Sequence, residues 1–200
     1  MALKDETKKE IEKLFKQTLE ILDAMEAPEI KEGDDPVTVD DEALKYAEWV
    51  KTKAELRYGS IDEDKGTFEK TKRPEFGITV GGIYWGYYGT NIGDEMNKRR
   101  PLMVVRSIKA SNMCTVVPLS TKRMKDDYYF HIDLEDRDGT AIVEQLRTID
   151  KIRLEERVHH GGKTVEATDQ DLKDIFAAIE RYYADPPPWL KARWKKAEKK

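Results

Sequence analysis

Asn91-Ile-Gly-Asp-Glu-Met-Asn-Lys-Arg-Arg-Pro-Leu-Met-Val-Val105 decides how this chain folds and what it does. A polar loop carries an acid, Glu95, and a basic pair, Arg99 and Arg100, and runs into Pro101 and an apolar strand. Arg100 presents a planar fork suited to a phosphate, and Glu95 is a candidate base; the plain alternative is a surface ion pair. Two further stretches follow at strand or strand-end positions. One is Val116-Val-Pro-Leu-Ser-Thr121, which ends in two hydroxyls, and the other is Ala141-Ile-Val-Glu-Gln-Leu-Arg-Thr-Ile-Asp150.

Around these stretches the pattern from Gly77 onward is one of short strands, at 83–88, 102–105, 115–119, 128–134 and 140–143, with 144–149 extending the last. Residues 150–154 read as a short helical turn. Residues 168–183 read as a helix capped by Thr168, with Leu172, Ile175, Phe176 and Ile179 on its apolar face. Pro186, Pro187 and Pro188 break it, and 189–200 read as a basic, solvated tail. Strands that follow one another without intervening helices exclude a parallel α/β sheet and predict a small, strongly bent sheet or barrel.

Before Gly77 the pattern is helical. Ile11, Leu14, Phe15, Thr18, Leu19, Leu22 and Met25 recur at three- and four-residue steps and predict a helix over 5–26, ended by Pro28. Residues 33–36 read as a loop. A second helix is expected from Asp40 as cap, with Asp41 and Glu42 at the positive end of its dipole. Its stripe is Leu44, Ala47, Val50 and Ala54, with Tyr46 and Trp49 at the edges, and Gly59 ends it. Residues 59–76 read as a linker.

The 200 residues are 38% charged and 38% hydrophobic, with room for one domain and an appendage. No apolar run approaches the roughly 20 residues of a membrane span, and the first residues lack an apolar signal core. Cys114 is the only cysteine, which excludes an internal disulfide and makes the cytoplasm the expected compartment. Residues 1–75 hold 21 acids and 14 Lys or Arg, whereas 76–200 hold 19 and 22. An acidic front on a mildly basic back fits a nucleic-acid ligand for the back; solvated faces on both halves are the alternative.

Taken in order, the three stretches resemble the MazF/PemK family of toxin endoribonucleases. The resemblance covers about 77–184 and implies an α+β fold, an SH3-like barrel with a C-terminal helix. It leaves 1–76 as an acidic helical extension and linker, and 185–200 as the basic tail. It further implies the toxin of a type II toxin–antitoxin system, a metal-independent, sequence-specific endoribonuclease acting on single-stranded RNA. A homodimer, a cognate antitoxin, no cofactor and no membrane belong to the same expectation.

Cleavage of RNA without a metal needs a base for the 2′-hydroxyl, neutralisation of charge at phosphorus, and a proton or strong hydrogen bonds for the departing 5′-oxygen. By the resemblance, Glu95 of Gly93-Asp-Glu95 and Arg100 before Pro101 are catalytic. Ser120 stands where the family has a threonine that orients the phosphate, with Thr121 one place later. The expected RNA contacts are Asn91, Lys98, Arg99, Thr121, Lys122, Gln145 and Arg147. In strand geometry Gln145 and Arg147 share one face, Gln145 for a base edge and Arg147 for a phosphate; alternatively Arg147 pairs with Asp150 or Glu144. Tyr84, Trp85, Tyr87 and Tyr88 read as core rather than a stacking platform, and His159-His160 as a turn without metal spacing. Two rival functions stand beside the nuclease: a non-catalytic CcdB-like binding module, and a silenced MazF-like regulatory protein whose acidic helices shield the site.

Overall fold

The computed structural model describes residues 3–25, 38–89, 91–93 and 95–197. The expected stop at Pro28 and loop at 33–36 lie outside them. The chain forms two compact units, residues 1–54 and 55–200.

The first unit holds α1 (Asp5–Asp23) and most of α2 (Val39–Tyr58). Neither helix buries a residue, and Leu14, Phe15 and Leu19 remain open on α1. The expected cap at Asp40 is corrected to Thr38. Thr38 Oγ1 accepts the Asp41 amide at 3.1 Å, and the Asp41 carboxylate accepts the Thr38 amide at 3.0 Å. This reciprocal box satisfies two free helix-end donors at once, which a cap at Asp40 does not.

In the second unit, the expected linker at 59–76 is instead built structure. β1 (Ser60–Ile61) and β2 (Phe68–Glu69) form a hairpin, with Ser60 opposite Glu69. Asp62 closes its turn by accepting the amides of Asp64 and Lys65 at 3.1 and 3.0 Å. Further on, Arg73 forks onto Asp150 at 3.1 and 3.0 Å, and the Phe76 ring stacks on Tyr84 at 5.6 Å. The charged composition hid these anchors because Phe76 packs on the core while the segment's other aromatic, Phe68, stays exposed.

The main sheet comprises β3 (Ile83–Gly89), β4 (Lys98–Ser107), β5 (Met113–Ser120), β6 (His131–Asp133), β7 (Thr140–Ile142), β8 (Arg147–Asp150) and β9 (Leu154–Arg157). Its order is β6-β7-β5-β4-β3-β9, all antiparallel, with β8 also on β5. The first part of β5 pairs with β8 and its end with β7. One strand therefore serves two partners along a single edge, and the sheet bends there. Among the described residues the ladder is open, ending at β6 and β9.

Both faces of the sheet are buried. Ile83, Met103, Val105, Val117 and Leu119 form one core with Ile175 and Ala178 of α3 (Asp169–Ile179). Tyr84, Leu102, Val104 and Val116 form the other, against Ile149 and Leu154, with Phe76 and Ile78 packed on it. Burial on both faces explains why 102–105 reads as an unbroken apolar run rather than an alternation.

Four further expectations need correction. Arg99 and Arg100 lie inside β4, because the strand pairs with β3 back to Lys98. Val143–Gln145 is a 3₁₀ turn rather than a strand extension, since the chain must step from β7 to β8 along the same edge of β5. Only His131–Asp133 of the expected 128–134 strand is extended. The tail forms α4 (Pro188–Ala197), whose first turn is supported by the Pro187 carbonyl, accepting the Leu190 and Lys191 amides at 2.9 and 3.1 Å. Pro188 suits that position because the first helical residue needs no amide donor.

The turn at 151–153 and the Thr168 cap match expectation. Thr168 Oγ1 accepts the Asp171 amide at 3.0 Å, and the buried Asp171 carboxylate accepts the Thr168 amide at 2.8 Å. β10 (His159–His160) and β11 (Lys163–Thr164) pair across Gly161 and Gly162, whose φ values of 57° and 77° require glycine-like freedom. β9 escaped sequence reading because Leu154-Glu-Glu-Arg157 offers only one apolar residue.

Candidate active site

Register places the key side chains. On β3, Gly86 faces Arg100 of β4. On β5, Pro118 faces Leu102 of β4, and the strand runs on to Ser120, next to the Leu119 carbonyl that Arg100 reaches. Neighbouring strand residues project to opposite faces, so Arg99 and Arg100 separate. Arg99 pairs with Glu155 and, at 3.0 Å, with Glu156, and its guanidinium lies 4.6 Å from the Trp85 ring centre.

Arg100 is half-buried. Its Nε donates to the Asn97 carbonyl at 2.6 Å, and Nη1 donates to the Leu119 carbonyl at 3.5 Å. Burial pushes its pKa below the usual arginine range, partly countered by Tyr88. Ser120 ends β5, and its Oγ accepts the Lys122 amide at 3.2 Å. Arg99, Arg100, Ser120 and Thr121 all border one cleft of about 370 Å³, although the two arginine side chains leave β4 on opposite faces; its apolar floor includes Trp85 and Pro101.

The loop before β4 is stapled from both ends. The Asn91 amide donates to Asn97 Oδ1 at 2.6 Å, and Asn91 Nδ2 donates to the Met96 carbonyl at 2.7 Å. Gln145 Oε1 accepts the Met96 amide at 3.1 Å. Arg147 Nη1 donates to the Tyr88 carbonyl and to Asn91 Oδ1, each at 3.4 Å, while its guanidinium sits 5.5 Å from the Tyr88 ring centre. Arg147 therefore pairs with neither Asp150, which holds Arg73, nor Glu144. Gln145 and Arg147 do not share a strand face, because Gln145 sits in the 3₁₀ turn.

Asn91, Glu95, Lys98, Gln145 and Arg147 lie outside the cleft lining. Glu95 is exposed, and its carboxylate has no hydrogen bond or ion pair among the described residues. It is close enough to raise the Tyr88 pKa, which burial chiefly pushes up to about 12. Lys98 is exposed, with φ of 74° at the start of β4. Tyr84 and Tyr88 are core, while Trp85 and Tyr87 are half-buried.

The sequence left several positions unmarked. Asn97 carries the loop's closing bonds. Arg153 reaches the carbonyls of Tyr87 and Tyr88 at 3.3 and 3.4 Å, beside Arg147. Arg137 and Asp138 line the cleft from the β6–β7 turn. Their Asp-Arg-Asp-Gly context signals a turn and nothing more.

Residues 79–182 match the family model of the PemK-like, MazF-like toxin of type II toxin–antitoxin systems. The chain belongs to this family. The PemK/MazF match spans both cores and every cleft-lining residue named above. Endoribonuclease EndoA of Bacillus subtilis (strain 168) is 24% identical over 113 residues, covering 52% of this chain and 97% of that protein. Among solved structures, MazF of Deinococcus radiodurans is 18% identical with a TM-score of 0.46, covering 56% of this chain and 100% of that one. An endoribonuclease from a mycobacterial species is 16% identical with a TM-score of 0.41, covering 60% and 100%. α1, α2 and the β1–β2 hairpin precede the PemK/MazF match.

Proposed function

We propose that this chain is the toxin of a toxin–antitoxin pair and an endoribonuclease that cuts single-stranded RNA without a metal ion. The observation that carries this is the meeting of Arg100 and Ser120 at one cleft within the matched family region. The named activity of the B. subtilis relative points the same way.

RNA supplies its own nucleophile, so the protein has to position a phosphate and stabilise charge. Among the described residues Arg100 is held by main-chain carbonyls and a thioether contact, and none of their carboxylates neutralises it before substrate arrives. Its fork takes the non-bridging oxygens, where negative charge grows in the transition state. Ser120 donates its hydroxyl to the same phosphate. Glu95 draws the 2′-hydroxyl proton from its exposed place on the loop. Asn91, Gln145 and Arg147 serve this site by holding the loop that carries Glu95. Thr121, Lys98 and Lys122 line the approach of the RNA strand. A cognate antitoxin follows from the family's description, and the working unit is a homodimer. No helix among the described residues is long and apolar enough to cross a membrane.

Purified protein incubated with mixed-sequence single-stranded RNA in excess EDTA tests this. Cleavage should persist and leave 2′,3′-cyclic phosphate and 5′-hydroxyl ends. Activity that disappears in EDTA and returns with a divalent ion overturns the metal-free mechanism, and intact RNA under all conditions favours a binding module.

A further inference from the structure

Arg137 lines the cleft from the turn between β6 and β7. Its Nη2 donates to the Glu166 carbonyl, which fixes the guanidinium. Its Nε is buried and has no hydrogen-bond partner among the described residues. Buried donors are almost always paired, so the Arg137 guanidinium keeps hydrogen-bonding capacity that the described residues do not use. Asp138, the next residue, lines the same cleft, and its carboxylate has no hydrogen bond or ion pair among the described residues. The two are chain neighbours of opposite charge that do not pair with one another. A cation held on one side only, by a main-chain carbonyl, and an unpaired carboxylate therefore line a single cleft.

That space has a floor of Trp85, Pro101, Val158 and Val165, and its volume is about 370 Å³. Clefts for small ligands run from about 300 to 1,000 Å³ and pair an apolar lining with a few placed polar groups. A nucleotide has this pattern: a flat, weakly polar base and a charged phosphate. Arg100 and Ser120 at the same cleft hold the scissile phosphate, so the neighbouring nucleotide is the part of the strand that reaches Arg137 and Asp138.

Resting on the nuclease function above, we propose that this cleft holds the nucleotide beside the cut, with Arg137 on its phosphate and Asp138 reading its base as guanine. A carboxylate accepts hydrogen bonds and donates none. Guanine alone presents two adjacent donors, N1–H and the N2 amino group, on its Watson–Crick edge, and these match two carboxylate oxygens. Adenine and cytosine set a single amino group beside an acceptor nitrogen, and uracil sets its one N–H between two carbonyls. Bases in single-stranded RNA are free to be read on this edge.

The test is cleavage of a random-sequence RNA pool by the full-length protein and by Asp138→Asn, Arg137→Ala and Arg137→Lys, with bases counted around each cut. The wild type should enrich guanine at one position beside the cut. Asp138→Asn should reduce that enrichment by about 10-fold, as expected for loss of a bidentate base contact, and keep the preferences elsewhere. Inosine, which lacks the N2 amino group, should slow the wild type at that position and leave Asp138→Asn indifferent.

Arg137→Ala should raise KM more than it lowers kcat. It should also flatten the salt dependence of binding to a 2′-deoxy-substituted strand by about 0.7 in log–log slope, the value for one phosphate on a single strand. Arg137→Lys should restore that slope. Thermal melts of all three variants separate these effects from loss of fold, and Asp138→Asn decides the matter should Arg137→Ala unfold. A wild type that cuts without guanine preference, or an Asp138→Asn variant with the wild-type preference, overturns the assignment of the cleft alone. A wild type that leaves the pool intact overturns the nuclease function and this assignment with it.

Discussion

Arg100 Nη1 lies 3.5 Å from the carbonyl oxygen of Leu119, the residue before Ser120. Residues far apart in the chain become neighbours because β4 and β5 pair antiparallel, with Leu102 opposite Pro118. Among the described residues the guanidinium is tied to backbone and to no carboxylate, so its charge is available to a phosphate. Arg100→Ala should therefore lower single-turnover RNA cleavage by about 10²–10³, the usual cost of one charge-stabilising donor. The melt should stay close to wild type, because the side chain is only half-buried and pairs with no charged group among the described residues. Near-wild-type cleavage by a folded Arg100→Ala protein contradicts the role given to Arg100.

Ser120 and Thr121 both line the cleft, but they are held differently. Ser120 Oγ is fixed by the Lys122 amide at 3.2 Å, whereas Thr121 is exposed beyond the strand end. Ser120→Ala should slow cleavage, and Ser120→Thr should preserve or improve it, because the added β-branch narrows the rotamer choice. Thr121→Ala should change the rate less. Rates measured for the three variants decide the register, and a silent Ser120→Ala beside a slow Thr121→Ala moves the hydroxyl role to Thr121.

The strands carrying these residues were legible because Leu102–Val105 and Val116–Leu119 bury both faces, and unbroken apolar runs stand out. The cleft was not. Arg137 and Asp138 sit in a turn whose sequence is explained by turn chemistry alone, and only the fold brings them beside Arg100. Gln145 was noticed for its chemistry but placed on a strand with Arg147, because 3₁₀ turns leave no periodic signal in three residues. The 59–76 segment misled for a related reason. Its anchors, Arg73 on Asp150 and Phe76 on Tyr84, are long-range pairs that no local pattern announces.

The Arg73–Asp150 pair should set an acid limit on stability. Burial tends to raise the Asp150 pKa, but the Arg73 fork and the Ile152 amide outweigh it, and the carboxyl sits below its ordinary value. A lowered folded pKa contributes stability that is full above the unfolded value, about 3.9. That stability is lost as pH falls through the lowered folded value. Both side chains are partly exposed, so the pair contributes at most about 1 kcal/mol. Arg73→Ala should thus lower Tm at pH 7 by up to about 2–4 °C, and the gap to wild type should close below about pH 4. A Tm gap that stays constant from pH 7 to pH 3 shows that Arg73 acts through packing rather than through this carboxylate.

Residues 1–54 carry 15 acids against nine Lys and Arg, while 55–200 carry 25 acids against 27. An anionic unit tethered to an RNA-binding one repels the ligand wherever it moves within reach, and the effect depends on ionic strength. A version of the chain beginning at Glu55 keeps both buried cores, the β1–β2 hairpin and the Arg73 fork, so it is expected to fold. It should associate with single-stranded RNA faster than the full chain at low salt. The difference should fade near 1 M salt, where the Debye length shrinks to about 3 Å. Stopped-flow association of a labelled 2′-deoxy-substituted strand across a salt series measures this. Equal on-rates at low salt from a folded Glu55 version rule out electrostatic shielding by α1 and α2. A difference that persists unchanged at high salt points instead to steric cover, since only the charge effect is screened.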